Sequence, residues 1–394
     1  MPASTDVAIV GGGVMGSAIA YFLANDPAFD GKVLVVERDP SYANCATTRS
    51  WGGIRQQFST PENVSMSLFG VAFVRQVAEL LAVEGEAPDL GFKEQGYLFL
   101  ASDAGLPILQ RNVALQQDLG AAVTLLLPDE IGERFPWLST DGIAAGALGL
   151  ANEGWIDPAG LLQGFRRKAR SLGVTYLHDE VTAIERDGAR VTGLKLRDAG
   201  KINCGVVVNA AGPQAGAVAA LAGAELPVEP RKRMSYVFDC RTDLLRAPLT
   251  IDPSGVAFRP EGQQYLAIIS PPEEQDGPCD ERDLELDYTV FEEVIWPTLA
   301  ARVPAFEAIK LSGAWAGHYD YNAFDQNAVL GPHPEIAGLY FCNGFSGHGI
   351  QQSPAAGRAL AELIVHGTYQ TLDLTALGYA RLLEGRPLRE ANVV

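Results

Sequence analysis

Cysteine is sparse and scattered in this sequence. Cys45, Cys204, Cys240, Cys279 and Cys342 are odd in number and far apart, with no CxxC spacing among them, which excludes a disulfide framework and a zinc site of ordinary spacing. A reduced, cytoplasmic setting is the expectation. Basic residues are the minority charge, 30 Lys and Arg against 48 Asp and Glu for a net charge of -18. So acidic a chain offers no surface to nucleic acid or an anionic membrane, both of which need clustered cations. No apolar run approaches the roughly 18 residues of a membrane span. The opening MPASTDVAIV lacks the basic start and cleavable apolar core of a signal segment. Solenoid repeats and low-complexity tracts are missing too. These absences leave an acidic, untargeted chain of 394 residues, long enough for two domains, whose expected partner is a small molecule.

DVAIV (6–10) is a short apolar run ending in glycines, SAIAYFLA (17–24) continues with helical spacing, and KVLVVE (32–37) repeats the buried-strand pattern. Between the first strand and the helix, Gly11, Gly13 and Gly16 stand in GxGxxG register, and Glu37 ends the second strand about 20 residues on. Backbone shape explains the spacing. Gly11 permits the tight turn, Gly13 admits a pyrophosphate to the helix N-terminus, Gly16 lets helix and strand pack closely, and Glu37 can hold ribose hydroxyls. The motif specifies a dinucleotide without choosing between NAD and FAD. NAAG (209–212) and GFSGHG (344–349) offer further backbone amides, and a helix beginning near Gln351 would aim the positive end of its dipole at the same ligand. A flavin, with its distant ring end, has use for such contacts. Taken alone, GFSGHG also reads as an ordinary glycine-rich turn.

Elsewhere the pattern predicts a loop over SYANCATTRSWGGIRQQFS, a helix from about Glu62 to Val83, and an inserted segment from Gly96. Residues 174–212 read as short strands parted by DG and AG turns. RMSYVFDC, SGVAFRPEG and QYLAIISPP alternate as antiparallel strands, and TVFEEVIWPTLAARVPAF reads as helices broken at Pro297 and Pro304.

Three pieces, DVAIVGGGVMGSAIAYFL with VLVVER, then VVVNAAG, then LYFCNGFSGHGIQQSPAAGRALAELI, resemble the D-amino-acid oxidase superfamily of FAD proteins, in its glycine and sarcosine oxidase branch. The resemblance covers nearly the whole chain. It implies an α/β fold with a discontinuous Rossmann-like FAD-binding domain of the glutathione-reductase type (1–90, 152–222 and 324–394). An antiparallel-sheet α+β substrate domain would take 91–151 and 223–323. It also implies one FAD per chain, with contacts from Gly11, Gly13, Val14, Met15 and Gly16 in the first turn and from Glu37 and Arg38 at the second strand. Further contacts would come from Thr47, Thr48, Arg49, Gly52 and Gly53 in the following loop and from Val181, Ala211 and Gly212. Gly344, Phe345, Gly347, His348, Gly349, Ile350 and Gln351 would supply the third piece.

For chemistry, the resemblance places Arg55 where sarcosine oxidases grip a substrate carboxylate, a task suited to a planar guanidinium; a plainer role for Arg55 or Arg49 is balancing a nearby phosphate or carboxylate. The branch's second carboxylate-binding residue, a lysine, is Gln351 here, which brings hydrogen bonds but no charge. His318 falls at the position of cysteinyl flavin attachment, and three roles stay open to it: a histidyl flavin link, a polar wall, or a hydrogen-bonded histidine. Tyr319, Asp320 and Tyr321 are candidate substrate contacts. The oxygen-activating lysine of sarcosine oxidases falls in SGVAFRPEGQQYLAIISPP, where no lysine occurs between Lys232 and Lys310, and Arg259 is the available substitute. The activity implied is oxidation of the C–N bond of a secondary or N-alkyl amino acid, with FAD held non-covalently and O2 or a quinone-like acceptor reoxidising it slowly. Hydroxy-acid oxidation on the same scaffold, or a non-catalytic assembly protein stabilised by FAD, are the alternatives.

Overall fold

The computed structural model describes residues 3–244 and 246–391. A six-stranded sheet runs in the order Val329–Pro332, Leu339–Asn343, Val206–Asn209, Val7–Val10, Val33–Glu37, Thr175–His178, parallel except at its first pair. Both faces of its centre are covered, and Val7–Val10 and Val206–Asn209 accordingly lack polar alternation. On one face lie helices Val14–Asn25, Pro158–Ser171 and Gly349–His366. They approach closely because of small residues: a Cβ added to Gly357 would stand 2.7 Å from the Cβ of Ala18. Over the other face lie the helix Ala215–Ala220 and the three-stranded sheet Val181–Asp187, Arg190–Leu196, Lys201–Asn203.

The second large sheet has eight strands, ordered Ile309–Asn322, Val228–Cys240, Gln264–Ile268, Ala257–Glu261, Leu249–Ile251, Tyr97–Ala101, Ala145–Gly149, Val123–Leu126. It is antiparallel apart from the joint between Leu249–Ile251 and Tyr97–Ala101. The segment read as an insertion from Gly96 therefore supplies three strands of one sheet with the later antiparallel strands. Its outer face packs on Phe291, Ile295, Leu299 and Phe306.

Two helix assignments change. The stretch 62–83 is the helix Pro61–Arg75 followed by the short Val77–Leu80, and Val83 bridges to Glu86 in a turn. Pro297 does not break its helix. The five residues Phe291–Ile295 form a π-turn, and Trp296 N donates to the carbonyl of Phe291, five residues back. Helix runs through Trp296–Arg302 and ends before the 3-10 turn at Pro304. The wider turn accommodates the ring and missing donor of proline. Pro354 sits inside Gly349–His366, and there the Ser353 hydroxyl donates to the Ile350 carbonyl (2.9 Å) that proline cannot serve.

Candidate active site

A cavity of about 900 Å³ lies between the two large sheets. One end is built by the first glycine turn. Gly11 has φ +99°, and a Cβ there would stand 2.4 Å from the carbonyl oxygen of Ala210; on Gly16 it would stand 1.9 Å from the oxygen of Gly11. Both positions exclude any side chain on contact grounds alone. Gly13 differs, since a Cβ there meets only Thr47 Oγ1 at 3.5 Å, and the space above it belongs to the cavity. The helix Val14–Asn25 starts at Gly13, which has no side chain to cap it; Thr47 Oγ1 accepts from Val14 N at 3.2 Å. Val14 and Met15 line the cavity at this positive helix end. Glu37 lines it too, one carboxylate oxygen accepting from Gly12 N (2.7 Å) and the other from Asp39 N (2.8 Å). A carboxylate has further lone pairs for a ribose hydroxyl.

The third glycine turn closes the middle of the cavity. It is templated by the strand Ile309–Asn322: Asp320 Oδ2 accepts from Gly344 N (2.9 Å) and Phe345 N (3.1 Å), and Asp320 O accepts from Ser346 N (3.1 Å). Desolvation pushes the Asp320 carboxyl up to about 6 against the pull of those amides. Gly344, Ser346 and Gly347 all have positive φ. At Gly347 a Cβ would meet the Tyr319 ring at 2.5 Å, so glycine here brings main chain onto an aromatic face. His348 follows, buried against Phe58 with ring centroids 5.3 Å apart. Burial and the Arg55 charge hold its imidazole far below the usual range, hence neutral.

Arg55 marks the other end. It is buried, its guanidinium 4.0 Å from the centroid of Phe58 and 5.2 Å from that of Phe99, with one N–H donated to the Gln57 carbonyl. Its backbone N donates to Gln351 Oε1 at 2.6 Å, so that glutamine fixes Arg55 in place as well as lining the cavity. Glu153, fully buried behind Arg55, accepts from Gln56 N (2.7 Å) and Gln57 Nε2 (2.8 Å), and burial raises its carboxyl to about 7. Tyr319 lies beside Arg233, whose guanidinium is 5.0 Å from its ring, and within electrostatic reach of Arg55. Trp51, Tyr97, Leu249, Ala257 and Ile268 complete this wall.

Most residues expected at the cofactor line the cavity: Gly11, Gly13, Val14, Met15, Glu37, Arg38, Thr47, Arg49, Gly53, Val181, Ala211, Gly212, Phe345, Gly347, His348, Gly349, Ile350 and Gln351, with Arg55, His318 and Tyr319. Six expected residues stand behind the lining. Gly16 packs on Gly11, and Gly52 on the carbonyl of Ile156. The Thr48 hydroxyl turns to the carbonyl of Tyr42 (2.5 Å), and Gly344 is tied to Asp320. Tyr321 lies under Arg231, 4.5 Å from guanidinium to ring centroid. Arg259 stands outside the lining: it packs against Trp51 and Trp155, and its terminal nitrogens donate to the carbonyls of Trp51 (3.0 Å) and Pro260 (2.9 Å) and to Glu261. Among the described lining residues there is no lysine. Sequence reasoning missed Arg233, although it stands in the run RKR, and also Trp51, Tyr97 and Glu281.

These features fit an FAD molecule. The free space over Gly13 at a helix end suits a pyrophosphate, Glu37 suits a ribose, and the bare main chain of 344–349 suits a flat ring system. His318 and His348 each keep a buried Nε2 with no partner among the described residues. A family profile described as "FAD dependent oxidoreductase" matches residues 6–363. The chain is 46% identical to "FAD-dependent oxidoreductase domain-containing protein 1" of Bos taurus, over 99% of this chain and 87% of that protein. Among solved structures it is similar to L-proline dehydrogenase from P. horikoshii, with TM-score 0.85 and 27% identity over 98% of this chain and 100% of that one. It is also similar to glycine oxidase from Geobacillus kaustophilus, with TM-score 0.80 and 26% identity over 95% and 98% of the two chains. Fold, glycine turns and relatives agree that this chain belongs to the FAD-dependent oxidoreductase family of D-amino-acid oxidase type.

Proposed function

We propose that the chain oxidises the C–N bond of a secondary or N-alkyl amino acid, using one non-covalently held FAD, and that it works as a dehydrogenase or a slow oxidase. The observation that carries this is Arg55, a buried guanidinium in the wall of the same cavity that opens at its far end on the GxGxxG turn. The FAD would be held by the glycine turn at 11–16 and Glu37, by Ala211 and Gly212, and by the main chain of 344–349. When bound, it supplies the two-electron acceptor for the substrate carbon beside nitrogen. Arg55 pairs with the substrate carboxylate through its planar guanidinium, and Gln351 holds its main chain so that the fork keeps its direction. Trp51, Tyr97, Leu249 and Ile268 exclude water around the amine, and an apolar setting favours the neutral nitrogen that oxidation requires. The similar proteins named L-proline dehydrogenase and glycine oxidase support an amine rather than a hydroxyl as the oxidised group.

Slow reaction with O2 follows from charge. A compact ammonium beside the ring promotes that reaction electrostatically; here the lining has no lysine among the described residues, its Arg233 is paired with Asp276, and Arg259 is engaged elsewhere. The test is anaerobic: N-methyl and cyclic secondary amino acids should bleach the flavin absorbance. Arg55→Met should lower kcat/KM by about 2 to 4 kcal/mol while FAD content stays normal. Bleaching by none of the amines, or by hydroxy acids alone, refutes the amine reading.

A further inference from the structure

Arg233 is a second guanidinium on the wall that holds Arg55, and the Tyr319 ring is in electrostatic reach of both. It comes from the strand Val228–Cys240, and its two terminal nitrogens meet both oxygens of Asp276 at 2.7 Å each, the fork geometry of a bound carboxylate. Its Nε is buried and has no partner among the described residues. Arg231 lies 3.8 Å from the same Asp276 and has its own carboxylate partner in Glu229, which leaves Asp276 chiefly to Arg233.

Asp276 belongs to a strap, residues 269–287, that has neither helix nor strand. An irregular stretch of that length inside a compact fold is characteristic of lids and binding loops. It crosses the cavity, with Glu281, Arg282 and Leu284 in the lining. Acidic side chains tether it to basic wall residues: Asp276 to Arg233, Asp283 Oδ2 to Lys232 Nζ at 2.7 Å, and Glu281 to Arg38. Among the described residues, the strap's contact with a core cluster is confined to Ile269 at its first position.

We propose that Arg233 is the receptor for a second acidic group on the substrate, and that Asp276 is its intramolecular stand-in, released with the strap when a diacidic substrate binds. This assignment rests on the amino-acid reading of the cavity given above. Leaving a buried guanidinium without an anion costs stability, because an unpaired buried charge is poorly solvated. Exchanging one carboxylate for another at the same fork avoids that state and returns Asp276 to water. The substrate class is then an amino acid carrying a further carboxylate or comparable acid on its nitrogen substituent or side chain. Asp276 competes with it at the effective concentration its tether sets.

The experiment uses purified holoenzyme and non-reacting probes: succinate, glutarate and adipate against butyrate, valerate and hexanoate, with binding read from the perturbed flavin spectrum. At the best chain length the diacid should bind about tenfold or more tighter than its monoacid partner. Asp276→Asn should widen that gap by about another tenfold, and Arg233→Gln should abolish it. Trypsin reports the strap independently of binding strength, since Arg282 lies in it: diacids and Asp276→Asn should hasten cleavage there, and monoacids should not. Should Arg233→Gln fail to fold, Asp276→Asn and the trypsin comparison still decide. Equal binding of the two series, in wild type and in Asp276→Asn, with both lost in Arg55→Met, overturns the second subsite and leaves the amino-acid reading standing. Binding of neither series through Arg55 overturns both.

Discussion

Gly70 lies in the helix Pro61–Arg75, outside the cavity lining, yet it controls the cavity. A Cβ at Gly70 would stand 1.9 Å from the carbonyl oxygen of Gln351, in the first turn of the helix Gly349–His366. The obstacle is backbone, so no rotamer change relieves it, and the helices must part by about 1 Å or more to restore van der Waals contact. Gln351 then moves, and with it the Oε1 that positions Arg55 N. Gly70→Ala is expected to destabilise the fold by about 1 to 3 kcal/mol, the usual cost of overpacking. A displacement of that size at a positioning group should lower kcat/KM roughly 100-fold, although no atom touching substrate has changed. Gly205→Ala is the control, because a Cβ there meets nothing within 4 Å and φ is not positive. Thermal melting and steady-state kinetics on the best amine of the panel, with FAD content measured alongside, provide the readout. If Gly70→Ala melts with the wild type and keeps kcat/KM within about threefold, the helix contact does not set the position of Arg55.

Glu153 should leave a mark on the stability profile. Its folded pKa of about 7 lies above the ordinary 4.5, so its favourable contribution is complete below about pH 4.5 and is lost as pH rises through 7, on the order of 3 kcal/mol. Melting curves from pH 4.5 to 8 should therefore fall more steeply for wild type than for Glu153→Gln, and parallel curves would refute this. Acid precipitation should release FAD into the supernatant, since Cys342 is buried outside the lining and Cys45 lies in the Thr47 loop near the first glycine turn. Fluorescence that stays with the denatured chain and vanishes in His318→Ala would mean a histidyl link instead. Stopped-flow reoxidation should be faster with a quinone-like acceptor than with O2, and the opposite order refutes the role assigned to the missing lysine.

Features whose cause is local were legible in the sequence. The GxGxxG turn, Glu37 and GFSGHG announce themselves because φ and close approach at Gly11, Gly16 and Gly347 tolerate only glycine. Arg55 was reached through the motif around it. Arg233 was not, because its importance comes from a strand pairing and a strap more than forty residues away that no local pattern encodes. Arg259 misled for a related reason: its place on a strand of the right sheet was inferable, but not that Trp51 and Trp155 would sequester its guanidinium. Pro297 misled because a π-turn absorbs it. The insertion from Gly96 looked foreign to the rest because its partner strand, Leu249–Ile251, joins it in parallel from far along the chain.

The order of strands in the parallel sheet also bears on how the protein is made. Val7–Val10 leaves the ribosome well before its neighbour Val206–Asn209 and the next strand, Leu339–Asn343, which are made far later. At about 5 to 20 residues per second, the GxGxxG turn waits on the order of half a minute for the chain that packs behind it, and the helix carrying Gly357 against Ala18 is later still. During that interval Val7–Val10 has an unpaired edge and an apolar face, the condition that invites aggregation or chaperone capture. FAD can be enclosed only once the third glycine turn has been made, so cofactor supply and the fate of newly made chains are linked: a chain short of FAD completes its sheet without the ligand that would stabilise the folded state.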